Sequence, residues 1–181
     1  MAQEVLWSPD ADPAVVPLVR MPDFLSSAAL APLTALGEDH DSPEGRHTIH
    51  KAGAVTQLLL LPGSDTHGQL AALVPLDAQT LGRIEALTRF WRSWQGRPAP
   101  PDTRMTPQQR RRFRLMMRAA DGRSNGASYR DIAIALYGLT RIAADPWKTS
   151  ALRDAVIGLV EGATSLIAGG YLQILRHRRR A

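Results

Sequence analysis

Apolar residues recur at spacings of three and four over long stretches of the chain, which is the period of an amphipathic helix. The clearest stripe predicts a helix over residues 78–96, capped by Asp77 and ended by Gly96. The proline-rich stretch that follows predicts a stiff linker over residues 97–105. Six residues of the stripe are expected in the core: Leu81, Ile84, Leu87, Phe90, Trp91 and Trp94.

The same spacing predicts a second helix that Thr106 caps and Pro107 begins, ending near residue 120. Its inward-facing residues are expected to be Phe113, Met116 and Met117. A loop rich in Gly and Asn is predicted at residues 121–127, and Ser128 is predicted to cap the next helix. That helix covers residues 129–137 and directs Ile132, Ala133 and Leu136 to a core.

Gly138 is predicted to end this third helix, and residues 139–145 are expected to be a connector. A long helix is then predicted over residues 146–168. Gly169 and Gly170 interrupt it, and residues 171–176 form a last short helix.

The first 76 residues have a different pattern. Five prolines between residues 5 and 36 disfavour long helices there. Residues 46–52 are predicted to pair with residues 54–61 as a hairpin that turns near Gly53. Residues 69–76 fit either a third strand or the start of the next helix.

The charged residues divide the chain. Residues 1–81 have a net charge of −7, whereas residues 82–181 have a net charge of +12. A split of this size favours contact between the C-terminal half and a polyanion such as nucleic acid. The alternative is that the two halves neutralise each other within one fold.

The composition also excludes several kinds of site. The chain has no cysteine, which excludes disulfides, thiolate metal sites and a cysteine nucleophile. His47 and His50 point to opposite faces of a predicted strand, so a metal site is not expected there. No catalytic motif is present, and we expect neither an enzyme nor a cofactor. No apolar run approaches the length of a membrane span, so we expect a soluble cytoplasmic protein without membrane contact.

Residues 127–138 resemble the first helix of a helix-turn-helix unit, in which Ala133 permits close packing and Gly138 permits the turn. The recognition helix is expected to begin near Trp147. Residues at the start of such a helix contact base edges in the major groove. The expected base contacts are Lys148, Thr149, Ser150 and Arg153, although Thr149 or Ser150 is equally suited to capping the helix.

Further basic residues are suited to phosphate contacts, which give affinity without sequence information. The alternative is a solvated helix face. The basic end of the chain, residues 176–180, fits either a nonspecific DNA arm or a solubilising tail. The remaining predicted DNA-contacting residues are Arg110, Arg111, Arg112, Tyr129 and Arg130.

One face of the long predicted helix contains only small residues. A line of small side chains lets another backbone approach closely, so we expect a tight helix–helix contact, either within the chain or across a homodimer. The residues of this face are Ala155, Gly158, Gly162, Ser165 and Gly169.

These patterns predict an α+β protein, mainly α, with a small N-terminal antiparallel β region and a C-terminal helix-turn-helix domain. The predicted division is an N-terminal region at 1–96, a linker at 97–105, a DNA-binding domain at 106–176 and a basic tail at 177–181.

Several blocks of sequence resemble a proteobacterial family, the DNA-binding domain of a type VI secretion system transcription factor. The resemblance covers residues 5–176, and it implies a helix-turn-helix domain behind a small β-containing region. It also implies regulators of mobile-element transfer, some of them activators and others antiactivators that bind another protein. The most specific blocks are Ser128-Tyr-Arg-Asp-Ile-Ala133 and Trp147-Lys-Thr-Ser150.

Two functions are therefore predicted. The first is a transcriptional regulator that binds double-stranded DNA through its helix-turn-helix unit. The second is a protein-interaction module, an antiactivator or adaptor with a degenerate helix-turn-helix, whose partner is another regulatory protein.

Overall fold

A computed structural model describes residues 5–25, 32–144 and 146–176. These residues form two compact units. Unit 1 consists of the described residues up to Asp102 together with Leu175 and Arg176, and unit 2 is Thr103–Ile174. The boundary at Asp102 falls within the linker predicted at 97–105. The basic tail predicted at 177–181 lies outside the described residues.

Unit 1 contains a five-stranded sheet in the order β2-β3-β4-β1-β5. The predicted hairpin is confirmed, because β3 pairs antiparallel with β4. The predicted antiparallel β region is present as a mixed sheet, because β1 pairs parallel with β4. The strands are β1 (Val16–Arg20), β2 (His40–Ser42), β3 (Gly45–His50), β4 (Thr56–Leu60) and β5 (Leu70–Ala72).

Strand β1 has little strand signal in the sequence because it lies among prolines. Pro17 itself is inside the strand, where it has no backbone N–H to donate. Its carbonyl accepts a hydrogen bond from Leu73 N at 2.9 Å, just beyond the residues that pair with β5. The missing donor is therefore accommodated at the end of the β1–β5 ladder. Strand β5 also settles residues 69–76 in favour of a strand.

Helix α1 (Thr80–Trp94) lies within the predicted range but is rotated about its axis, and the predicted Asp77 cap is wrong, because Gln79 is at the N-cap position and no side chain caps the helix. Its buried face contains two polar residues, Arg83 and Ser93, beside Ala86 and Phe90. Arg83 donates to Pro9 O at 2.9 Å and to Asp77 at 3.3 Å, and the Ser93 hydroxyl bonds to the backbone at residues 52 and 54. The prediction that three other residues are core is wrong, because they are exposed: Leu81, Ile84 and Trp91.

Unit 2 begins with α2 (Pro107–Ser124), which starts as predicted and extends into the first half of the predicted loop. Thr106 and Gln109 form a reciprocal capping box at its start. Of the three predicted core residues, Met116 is buried and Phe113 packs against the core, whereas Met117 is 65% exposed. The prediction for Met117 is therefore wrong.

Helix α3 (Tyr129–Tyr137) has the predicted bounds, the predicted Ser128 cap and the predicted end at Gly138, which has a φ of 88°. The predicted connector contains a further helix, α4 (Leu139–Ala143), whose Ile142 is buried. Asp145, in the same connector, lies outside the described residues. A 3₁₀ turn (Trp147–Thr149) then precedes α5 (Ala151–Ser165).

The predicted start of the long helix at residue 146 is wrong by five positions. The Ser150 backbone is extended, and its side chain accepts a hydrogen bond from Leu152 N, so the α-helix begins only at Ala151. A wider helical turn (Leu166–Gly170) follows. The predicted interruption is present at Gly169, with a φ of 111°, before α6 (Tyr171–Arg176).

The expectation that no apolar run approaches the length of a membrane span is wrong for the segment Ala151–Arg176. It is long and apolar enough to cross a membrane by length and composition, with a mean hydropathy of 1.5 over 18 residues. Gly169 breaks its helical geometry, and Val156, Leu159 and Ala163 belong to the core of unit 2. One such segment is weak evidence for a membrane span, because core helices of soluble proteins have the same length and composition.

Candidate nucleic-acid interface

Unit 2 is basic, with eleven Arg and Lys residues against five Asp and Glu residues. Several of the cations have no carboxylate within ion-pair distance among the described residues. Unpaired exposed cations are available to an external anion. These residues are Arg111, Arg112, Arg114, Arg130 and Lys148.

The first turns of α2 place Arg111 and Arg112 beside α5. Both line an open groove of about 470 Å³, with Gln108 and Leu115 on the same side. The capping box at Thr106 fixes the start of α2 and therefore the direction of these side chains. The opposite wall of the groove is formed by Tyr137, Asp154, Ala155, Gly158 and Leu159. The groove therefore joins two cations to the exposed side of α5.

The start of α3 is fixed by its cap. The Ser128 hydroxyl donates to Asp131 Oδ2 at 2.6 Å, and Asp131 also accepts from Ser128 N. These hydrogen bonds lower the pKa of the Asp131 carboxyl. Tyr129 packs against the core and lies 5.0 Å below the Arg123 guanidinium. Arg130 is exposed at the same helix end, where an anion is favoured by the helix dipole.

The residues predicted to contact bases are separated by the structure. Lys148 and Thr149 are exposed in the 3₁₀ turn before α5, and Arg153 is half-buried with an ion pair to Asp154 at 3.4 Å. Ser150 is buried and caps α5, as the capping alternative predicts for one of the two hydroxyls. Thr149 bonds locally to Pro146 O at 3.3 Å.

The outward face of α5 has few cations. Asp154 and Glu161 are exposed on it, together with Ala151 and Ser165. Residues at these positions share one face because they lie three, four and seven residues apart. A carboxylate on this face repels phosphate, so any base contact must come from the start of the helix and not from its middle.

The small-residue face of α5 divides into two parts. A Cβ on Gly162 would lie 2.6 Å from Met116 Cε, so this glycine packs closely against α2 within the chain. At Gly158 an added Cβ would meet no described neighbour within 4 Å, because Gly158 borders the groove. The expected helix–helix contact therefore exists within unit 2 at Gly162, whereas a homodimer contact through Ala155, Gly158 and Ser165 stays a prediction.

Two histidines of unit 1, His47 and His50, are buried in the sheet. His47 Nδ1 is 3.0 Å from Gln57 Nε2, and Gln57 also bonds to both backbone groups of Trp7. His50 is 1% exposed and contacts the Phe90 ring edge-on. Burial lowers the pKa of both histidines. Within residues 5–25, 32–144 and 146–176, no group of three or more His, Cys, Asp or Glu side chains is arranged to hold a metal ion.

Sequence reasoning missed two contributions to the interface. The groove between α2 and α5 was not predictable from the sequence, because it depends on which faces of two distant segments pack together. The 3₁₀ turn that presents Lys148 was assigned to the helix itself. Pro146 followed by a hydroxyl residue at position 150 is the pattern that predicts a later helix start.

A basic helical unit with unpaired arginines at its helix starts is typical of DNA-binding domains. Residues 73–176 match the family described as "T6SS, Transcription factor, DNA binding domain", where T6SS denotes the type VI secretion system. The chain belongs to this family of DNA-binding transcription factor domains. The match begins at residue 73, so it includes α1 and excludes the sheet. No curated protein matches the chain.

Proposed function

We propose that the protein is a cytoplasmic transcriptional regulator that binds double-stranded DNA through a helix-turn-helix unit in unit 2. Helix α3 is the first helix of this unit, and the start of α5 is its recognition element. One observation supports the proposal most: exposed cations without carboxylate partners lie at the starts of α2 and α3 and just before α5, in a domain of a DNA-binding family.

The proposed contacts fall into two groups. Arg110, Arg111, Arg112 and Arg130 contact phosphates, which positions the domain on the duplex without reading sequence. Lys148, Thr149 and Arg153 contact base edges, since Lys and Arg donate to guanine and Thr donates or accepts. Ser150 is a cap in this proposal. Tyr129 acts by packing Arg123 and the α3 start.

The test is a binding selection on randomised duplex DNA with the wild-type protein and the double variant Lys148→Ala/Arg153→Ala. We expect an enriched motif with the wild type and a relaxed motif with the double variant, because the base contacts are lost. Arg20→Ala is the control, since Arg20 is an exposed arginine of unit 1.

A second measurement separates phosphate contacts from base contacts. Arg111→Ala/Arg112→Ala is expected to weaken binding to all duplexes alike. It should also reduce the salt dependence of log K by about 2, because each phosphate contact contributes about 0.9 to that slope. An unchanged slope would mean that these arginines do not contact DNA.

The exposed carboxylates of α5 support a second candidate function, an antiactivator or adaptor that binds another regulatory protein. Asp154 and Glu161 disfavour phosphate but suit a basic partner surface. This candidate predicts no enriched motif in the selection. It also predicts that Asp154→Lys/Glu161→Lys disrupts a complex with a partner regulator and leaves nonspecific DNA binding intact or stronger.

A further inference from the structure

The end of α3 carries an aromatic ring that lies between cations of two other helices. Tyr137, the last residue of α3, lines the α2–α5 groove together with Arg111 and Arg112. On its other side, the guanidinium of Arg141 in α4 lies over the ring, 5.8 Å from its centre. The ring therefore gathers arginines from two segments that are distant in the sequence.

The positions of Tyr137 and Arg141 follow from the turn between their helices. Gly138 alone separates α3 from α4, and its φ of 88° is a backbone conformation that favours glycine. Ile142 is 3% exposed and anchors α4 in the core of unit 2, whereas the neighbouring Arg141 is exposed. Tyr137 is half-buried against the same core. The ring is therefore a fixed platform beneath an exposed guanidinium.

The arginines around this ring have no neutralising group. Among the residues that the structure describes, no carboxylate lies within ion-pair distance of Arg111, Arg112 or Arg141. One described residue of the groove, Asp154, is a carboxylate, but it pairs with Arg153 at 3.4 Å. Like charges that are held together without counter-ions attract an external anion. The electrostatics of the cluster therefore favour a bound anion.

Other arginines of unit 2 differ because they are bound to the protein itself. Arg118 donates to Ala135 O at 3.4 Å, and Arg123 donates to Ala127 O at 3.0 Å and lies over the Tyr129 ring. The three arginines around the end of α3 make no hydrogen bond through their side chains within the described part of the chain. Their N–H groups can donate to an external acceptor, and the guanidinium fork matches the oxygens of a phosphate.

From this arrangement we propose that Tyr137 and Arg141 complete a phosphate-binding site with Arg111 and Arg112, and that the DNA backbone supplies the phosphate. Arg141 contacts the phosphate directly. Tyr137 is a positioning residue, because stacking on its ring fixes the guanidinium beside the groove. One strand of the duplex then lies between the start of α2 and the α3–α4 turn. The choice of DNA as the source of the phosphate rests on the proposed function.

The first test measures how duplex binding by the full chain depends on salt. Arg141→Ala is expected to reduce the slope of log K against log salt by about 0.9, because one phosphate contact is lost. The triple variant Arg111→Ala/Arg112→Ala/Arg141→Ala should reduce it by about 2.7, three times the effect of one contact. Arg20→Ala is the matched control, since it removes an exposed arginine of unit 1, and it should leave the slope unchanged.

The second test examines the positioning role of the ring. Tyr137→Leu is expected to lower the affinity for duplex DNA about two- to fivefold, the effect of losing an exposed cation–π contact. Tyr137→Phe keeps the ring and should keep the wild-type affinity. In a chain that already carries Arg141→Ala, Tyr137→Leu should have no further effect, because the two residues act as a unit. Circular dichroism shows whether each variant is folded.

The third test distinguishes DNA from a free phosphate compound. Calorimetric titration of the wild-type chain with AMP, without DNA, should show no saturable binding, because an open groove buries too little of a small ligand. AMP binding that Arg141→Ala abolishes without changing the DNA slope would mean that a free phosphate compound occupies the site. AMP binding together with a reduced DNA slope would still support a phosphate site that DNA occupies.

The outcomes separate this proposal from the function on which it rests. A wild-type chain that binds no duplex would overturn the proposed function and, with it, the assignment of the site to DNA. Salt dependence that falls in Arg111→Ala/Arg112→Ala but not in Arg141→Ala would leave the function intact and overturn the role of Arg141. Additive losses from Tyr137→Leu and Arg141→Ala would overturn the positioning role of Tyr137.

Discussion

Helices α1 and α3 have the same apolar spacing in the sequence, but α1 directs only half of its predicted stripe to the core, namely Leu87, Phe90 and Trp94. In α3 the cap at Ser128 and the end at Gly138 are local signals, and Ile132 and Ala133 are buried as expected. In α1 no side chain caps the start, and the buried face is set by bonds from Arg83 and Ser93 to segments 41 to 74 residues away. Local signals define where a helix begins and ends, whereas long-range polar contacts decide which face it buries.

The largest expected effect compares two neighbours in α1 that the sequence pattern treats alike. Phe90→Ala should lower the free energy of unfolding by about 3–5 kcal/mol, because Phe90 is 2% exposed and stacks on Trp94. Trp91→Ala should cost about 0.5 kcal/mol or less in the monomer, as at other exposed sites. Chemical denaturation at low protein concentration measures both. Equal losses would mean that α1 is not rotated as described.

This comparison shows how far the sequence determines the fold. The caps at Thr106 and Ser128, the turn at Gly138 and the break at Gly169 were predictable because each depends on residues within one helical turn. Strand β1 was missed because its pairing with β4 joins residues about 42 positions apart and contains Pro17. Of the candidate site, the basic residues were predictable, but the α2–α5 groove and the burial of Ser150 depend on tertiary packing.

A second prediction contrasts one serine that acts over a long range with one that acts locally. Ser93→Ala should destabilise unit 1 by about 1–3 kcal/mol, because it leaves the Ala54 amide without the hydroxyl that accepts its hydrogen bond at 3.0 Å. Ser128→Ala should cost about 1 kcal/mol in unit 2, the usual cost of losing a helix cap. Amide hydrogen exchange assigns each loss to its unit. If Ser128→Ala cost clearly more than Ser93→Ala, the contrast between local and long-range control would fail.

A third prediction separates the two units by their response to acid. Burial lowers the pKa of His50 and of His47, so the unfolded chain takes up protons at a higher pH than the folded one. The lowered pKa values therefore add to the free energy of unfolding. That contribution is fully present above the ordinary His pKa of about 6.5 and is lost as the pH falls below it. Each histidine contributes a slope of at most about 1.4 kcal/mol per pH unit.

In unit 2 the pKa that is shifted belongs to a carboxyl group, that of Asp131, and not to a histidine. The lowered pKa of Asp131 gives a contribution that is complete above the ordinary Asp pKa of about 3.9 and is lost only as the pH falls through the folded value. Hydrogen exchange between about pH 7.5 and 5.5 should therefore show unit 1 losing protection while unit 2 keeps it. His50→Phe is expected to reduce the loss in unit 1, and an equal loss in both units would contradict the assignment.

The smallest expected effect tests two glycines of α5 that the sequence places on one small-residue face. Gly158→Ala should stabilise unit 2 by about 0.5–1 kcal/mol, because Ala is a better helix former and its Cβ meets no described neighbour. Gly162→Ala should gain less, because its Cβ would force Met116 to move. Denaturation of both variants at equal concentration measures the difference. A larger gain at Gly162 would mean that α2 and α5 are further apart than described. A gain at Gly158 without loss of DNA affinity would indicate that DNA does not contact the groove at Gly158, one of its lining residues.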